Sequence, residues 1–138
     1  MTNSIGEIAD AECILAIGTN TTVAHPIVAL EVRRAVKRGA KLIVANPREI
    51  ALCREAQIHL QQKPGTDVAL MMGMLRVIVD EGLLDEAFVK ERCENFEEFK
   101  ASLEGFDLDF VEKTTGVARD DIAKAARICA SPAAFTLA

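Results

Sequence analysis

Two short apolar runs, Cys13–Ile17 and Leu42–Ala45, bracket an amphipathic stretch, and this pattern constrains the chain more than any other. Each run is bounded by turn residues and reads as a buried strand, the second spanning 41–45. Between them, His25-Pro26 opens a helix, because proline fits the first helical position, where its missing N–H costs little. Val28, Val32, Ala35 and Val36 fall on one face of it, and Arg33, Arg34 and Lys37 lie opposite. Gly39 is a natural stop. Strand, helix and strand together occupy about thirty residues, the size of a βαβ unit. Such crossovers are right-handed and make the two strands parallel neighbours. The expected class is α/β with a parallel sheet.

The rest of the chain extends this plan. Ile50–Ala56 can form a short helix, and Gln57–Gln61 alternates as a third, short strand at a sheet edge. Thr66 is placed to cap a helix from Asp67 to about Asp80. That helix carries Val68, Leu70, Met71, Met74, Leu75, Val77 and Ile78, so it should be buried on several sides before Gly82 ends it. Asp85 can cap a turn bearing Phe88 and Val89, and Asn95-x-x-Glu98 has the form of a capping box ahead of Phe99 and Leu103. Asp107–Lys113 presents Leu108, Phe110 and Val111 before Thr114-Thr115-Gly116 breaks the helix. Arg119–Ala130 is amphipathic through Ile122, Ala125, Ala126 and Cys129, and Ser131-Pro132 stops it. Ala134–Leu137 then begins another strand, which points to a fragment of a longer polypeptide. The expectation is a single domain over 1–138 with residues 83–130 as its helical part.

Several function classes are excluded. A net charge of −5 argues against a nucleic-acid binder, which normally shows a basic face. The one basic cluster, Arg33 to Arg38, complements a helix C-terminus. The longest apolar stretch, Val68–Val79, is interrupted by Arg76 and is too short to span a bilayer, so no membrane insertion is expected. Met1-Thr2-Asn3-Ser4 has no signal-peptide character, and a cytoplasmic location is expected. The four cysteines, Cys13, Cys53, Cys93 and Cys129, lack metal-ligand spacing, and no metal site is expected. Cys13 and Cys129 read as small core residues. Neither His25 nor His59 has an evident nucleophile or carboxylate partner, so no hydrolytic triad and no catalytic residue are nominated.

Three loops carry what chemistry the chain shows. Gly18-Thr19-Asn20 follows the first strand: glycine allows close backbone approach, and the polar residues precede a helix whose positive end can meet an anion. Turn and cap chemistry explains the same residues. Asn46-Pro47-Arg48 follows the second strand. Asn46 can bond a ribose or base edge and Arg48 can fork onto phosphate, or both are a capped turn with a solvated arginine. In Pro64-Gly65-Thr66-Asp67 a carboxylate can accept two N–H bonds from a guanine edge. An N-cap with an acid favoured by the helix dipole explains Thr66 and Asp67 equally, though not the preceding Pro-Gly. In a parallel α/β sheet, loops at strand C-termini line one crevice, where ligands bind.

At these residues the chain resembles the molybdopterin oxidoreductases, and within them the catalytic subunit of molybdenum- or tungsten-dependent formate dehydrogenases. The segments that carry the resemblance are Ile17-Gly18-Thr19-Asn20-x(4)-His25-Pro26, Val44-Ala45-Asn46-Pro47-Arg48 and Ile58-His59-Leu60-Gln61-x-x-Pro64-Gly65-Thr66-Asp67-Val68-Ala69-Leu70. Glu81-Gly82-Leu83-x-Asp85-x-x-Phe88 and Thr115-Gly116-Val117 match as well. The resemblance implies a Rossmann-like three-layer parallel sheet with flanking helices, the dinucleotide-binding-like domain of that fold. It implies a bis-molybdopterin guanine dinucleotide carrying Mo or W. Gly18, Thr19 and Asn20 would contact its phosphates and sugar, Asn46, Pro47 and Arg48 its guanosine end, and Gly65, Thr66 and Asp67 the guanine. Many members have Asp where this chain has Asn46, which brings no charge to a ribose contact.

The family's iron–sulfur motif, metal ligand and catalytic residues do not map onto this chain. The resemblance therefore implies a cofactor-binding domain of a formate dehydrogenase, inactive in isolation. Its partners would be the remaining domains of the same subunit and electron-transfer iron–sulfur or NAD-linked subunits. The alternatives are a cofactor-less iron–sulfur subunit of NADH–quinone oxidoreductase and a generic nucleotide-binding Rossmann-like module. The absence of GxGxxG weakens an NAD version of the latter.

Overall fold

The computed structural model describes residues 4–130 and 134–138. The expected helix stop at Ser131-Pro132 lies outside the described residues. These fall into two compact units, Lys63–Ala130 forming one and the chain on either side of it the other.

The first unit is a four-stranded, all-parallel sheet flanked by helices, in the order β3-β2-β1-β4. β1 is Cys13–Ile17, followed by α1 (Thr21–Ala24), α2 (Pro26–Lys37), β2 (Lys41–Ala45) and β3 (Ile58–Leu60). β1 and β2 match residue for residue, Cys13 opposite Lys41 and Ile17 opposite Ala45. β3 lies at the edge, as its short alternating sequence predicts, with Val44 opposite His59.

On one sheet face, Ile14, Ala16, Leu42 and Val44 pack with Val32 and Ala35 of α2 and with Ile8 of an N-terminal 3-10 turn, Ile5–Asp10. Burying each of the larger aliphatic side chains contributes roughly 1.5–3 kcal/mol. The alternate residues Cys13, Leu15, Ile43 and Ala45 are buried too. This is why both runs are apolar without alternation.

The helical region after β1 and the segment 50–56 differ from expectation. The helical region after β1 begins at Thr21, not Pro26, because the Asn20 carbonyl accepts the N–H groups of Val23 and Ala24 at 3.1 and 3.0 Å. Proline disfavours the helical region for the residue before it. His25 accordingly sits at φ −143°, ψ 68° and splits α1 from α2. Its side chain makes no capping bond. Ile50–Ala56 contributes only a 3-10 turn, Ala51–Arg54.

The second unit is helical. α3 (Asp67–Asp80), α4 (Glu86–Arg92), α5 (Phe96–Ser102), α6 (Leu108–Thr115) and α7 (Arg119–Cys129) follow in order; β4 (Ala134–Leu137), back in the first unit, pairs with β1. α3 buries one stripe, Leu70, Gly73, Met74 and Val77, while Val68 is exposed. At Gly73 a Cβ would lie 2.8 Å from Val111 Cγ2 of α6, so only glycine admits this approach.

Asp85 and Asp107 cap their helices as expected, accepting from Phe88 N at 2.9 Å and Phe110 N at 2.7 Å. Asn95 does not: it stands in the left-handed region at φ 55° with no capping bond. The extended backbone that aims an N-cap side chain at the first turn is lost there. Among the described residues no helix is long and apolar enough to cross a membrane.

Candidate functional site

The turns after β1 and β2 lie side by side because their strands are parallel and in register. Gly18 takes φ +63°, a conformation glycine adopts without penalty, and has open space where a Cβ would project. Its N–H bonds the Ala45 carbonyl at 2.9 Å. Asn46, only 6 % exposed, supplies the side-chain link. Its Nδ2 donates to the Thr19 carbonyl at 3.3 Å, and its Oδ1 accepts the Arg48 N–H at 2.9 Å. These partners fix the orientation of the carboxamide, since a carbonyl cannot donate and an N–H cannot accept.

The second turn is also held from β3. His59 Nε2 donates to the Asn46 carbonyl at 3.0 Å, which requires the tautomer protonated at Nε2. Gln61 Nε2 donates to the Pro47 carbonyl at 3.0 Å. Arg48 itself is exposed, and its guanidinium has no ion pair among the described residues. In the first turn, Asn20 Oδ1 accepts from Thr22 Oγ1 at 2.8 Å. Thr21 is buried, and its hydroxyl has no hydrogen-bond partner among the described residues.

The third loop belongs to the helical unit. Gly65 takes φ +80° with open space at its Cβ position. Thr66 stands at the N-cap of α3 but makes no side-chain capping bond there. Its hydroxyl instead donates to the Lys63 carbonyl at 2.7 Å, closing the Lys63–Thr66 turn. The cap that the sequence offers as an explanation of Thr66 is therefore absent. Asp67 opens α3, as expected.

A sequence profile of the family described as molybdopterin oxidoreductase matches residues 1–135. The chain belongs to the molybdopterin oxidoreductase family. It is 41% identical over 137 residues to F420-dependent formate dehydrogenase 1 subunit alpha of Methanococcus maripaludis, covering 99% of this chain and 20% of the relative. It is 42% identical over 130 residues to formate dehydrogenase H of Escherichia coli, covering 94% of this chain and 18% of the relative. Among solved structures it superposes on acetylene hydratase from Pelobacter acetylenicus with a TM-score of 0.83 at 34% identity, over 96% of this chain and 20% of that one. The chain thus spans about a fifth of the length of these relatives.

Membership in the molybdopterin oxidoreductase family implies a molybdopterin cofactor, with Mo or W in full-length relatives. The first unit suits a phosphorylated, hydrogen-bonding group: an open glycine follows β1, an exposed guanidinium follows β2, and an unpartnered buried hydroxyl stands at the start of α1. Among the described residues no cluster of His, Cys, Asp and Glu could hold a metal ion directly.

Thr21 stands among the short hydrogen-bonding residues after the first strand, and His59 and Gln61 stand in the third motif, but the sequence gives none of them a partner; Lys63 falls at an unassigned position of that motif. The alternation over 57–61 gives His59 and Gln61 the same parity, but their use appears only once β3 is paired with β2 and Gln61 follows it.

Proposed function

We propose that this chain is the domain that holds a pterin guanine dinucleotide in a formate-dehydrogenase-type oxidoreductase. The observation that carries the reading is the Asn46–Thr19 bond, which joins the turns after β1 and β2 into one polar surface beside Arg48. Gly18, Thr19 and Asn20 would hold phosphate and sugar, Asn46, Pro47 and Arg48 the guanosine end, and Gly65, Thr66 and Asp67 the guanine. Close identity to formate dehydrogenase subunits supports the activity, and the three loops with their order and spacing support the dinucleotide form.

When bound, the cofactor supplies a redox-active Mo or W centre that accepts two electrons as formate becomes carbon dioxide and a proton. This chain's own residues would bind and orient one end of it. The metal ligand and catalytic residues would lie in other segments of the full-length protein, and the chain alone would be inactive. Electrons would pass to iron–sulfur clusters, with iron–sulfur or NAD-linked subunits and the remaining domains of the subunit as partners, in the cytoplasm. The likeness to a hydratase favours a division of labour in which this domain holds the cofactor and other segments choose the substrate.

Calorimetry with guanosine monophosphate tests the reading. Wild type should bind and prefer guanine to adenine nucleotides, and Asp67→Ala should lose that preference. Equal binding by both proteins removes the guanine assignment.

A further inference from the structure

Lys63 is bonded at both ends. Its backbone N–H donates to the Thr115 carbonyl at 2.9 Å, and its Nζ donates to the Lys113 carbonyl at 3.3 Å. Both acceptors lie in the last turn of α6, where carbonyls have no further helical N–H to meet and carry the negative end of the helix dipole. The Lys63 carbonyl in turn accepts the Thr66 N–H at 3.2 Å and the Thr66 hydroxyl at 2.7 Å. Its stem passes over Gly116, where a Cβ would lie 3.3 Å from Lys63 Cε. Gly116 takes φ +78° to end α6. One residue therefore caps the C-terminus of α6 and closes the Lys63–Thr66 turn, which opens the Pro64–Asp67 loop.

We infer that Lys63 is a positioning residue for the Pro64–Asp67 loop, fixing that loop to the C-terminal turn of α6 and so setting its affinity for a guanine nucleotide. The inference rests on the reading of this loop as guanine-binding. The ammonium acts through the loop backbone and need not touch the ligand. A methionine keeps the stem and removes the donor. An arginine keeps a cationic donor and should restore the contact. Alanine at Gly116 displaces the stem by a separate route.

The test uses the full chain as wild type, Lys63→Met, Lys63→Arg, Gly116→Ala and Asp67→Ala. Circular dichroism checks that each folds. Guanosine monophosphate affinity is measured by calorimetry, and amide hydrogen exchange by NMR. Lys63→Met should bind about two- to fivefold more weakly, as suits an exposed cationic hydrogen bond. Its Thr66 amide should exchange faster while the Met74 amide, mid-helix in α3, is unchanged. Lys63→Arg should recover both readouts. Gly116→Ala should mimic Lys63→Met, and the two together should be less than additive. Binding that Asp67→Ala abolishes and Lys63→Met leaves untouched overturns this inference alone. No binding by wild type overturns the guanine reading and this inference with it. Wild-type exchange at Thr66 in Lys63→Met overturns the inference whatever the affinity.

Discussion

Asn46 donates its side-chain amide to the backbone carbonyl of Thr19 at 3.3 Å, across 27 residues of sequence. An aspartate in its place could accept the Arg48 N–H but, when ionised, could not donate to Thr19. Asn46 thus joins the two turns.

Asn46→Asp should therefore cost about 1–3 kcal/mol at neutral pH, because a buried carboxylate would face a carbonyl oxygen. The loss should shrink as pH falls towards about 4, the ordinary aspartate value, because the facing carbonyl raises the folded-state value of the carboxyl and the protonated form can donate. Urea denaturation of variant and wild type at each pH checks the difference. A pH-independent difference would show that the Thr19 bond is not the cause.

Thr21 carries a buried hydroxyl without a partner among the described residues. Thr21→Val keeps the shape and removes the polar atom, so it should stabilise the ligand-free chain by about 1 kcal/mol. If the hydroxyl serves the cofactor, the same change should lower cofactor loading in the full-length protein. A loss of stability on urea denaturation would mean that the hydroxyl is satisfied.

Gly73→Ala adds a methyl 2.8 Å from Val111 Cγ2 and 2.9 Å from its Cγ1. Alanine is the better helix former by about 1 kcal/mol, but overpacking costs about 1–3 kcal/mol. The net effect should be destabilising, and Val111→Ala should relieve part of it in the double variant. Thermal denaturation of the four proteins measures the coupling; a stabilising Gly73→Ala would refute the close approach.

Glu81 receives two hydrogen bonds from Arg127, at 2.8 and 2.6 Å. These hold its carboxyl below the ordinary glutamate value of 4.5. The folded-state value is depressed, so the pair's contribution to stability is present above pH 4.5 and lost as pH falls through the lower folded value. NMR titration should find Glu81 low in wild type and near the ordinary value in Arg127→Gln. High salt should narrow the gap, because the pair is exposed.

Much of the fold was legible because its signals are local. The runs 13–17 and 41–45, the start of α3 at Asp67 and the aspartate caps at 85 and 107 each follow from apolar spacing or a single side chain near a helix start. The misreadings came where local chemistry had an equal rival. Asn95 has the composition of a cap but a left-handed backbone, Thr66 prefers a turn carbonyl to the helix, and Pro26 starts one helix while splitting it from another.

The sequence by itself determined the strand–helix–strand plan, the three loops and, through their order and spacing, the family. Periodicity and turn residues act over a few positions and can be read without the fold. Only the tertiary structure decided which atoms meet. That Asn46 reaches Thr19, that His59 and Gln61 hold the second turn, and that Lys63 caps α6 depend on strand register and helix packing over 13 to 50 residues. Such contacts arise from the global arrangement of the chain, and no short window of sequence contains both partners.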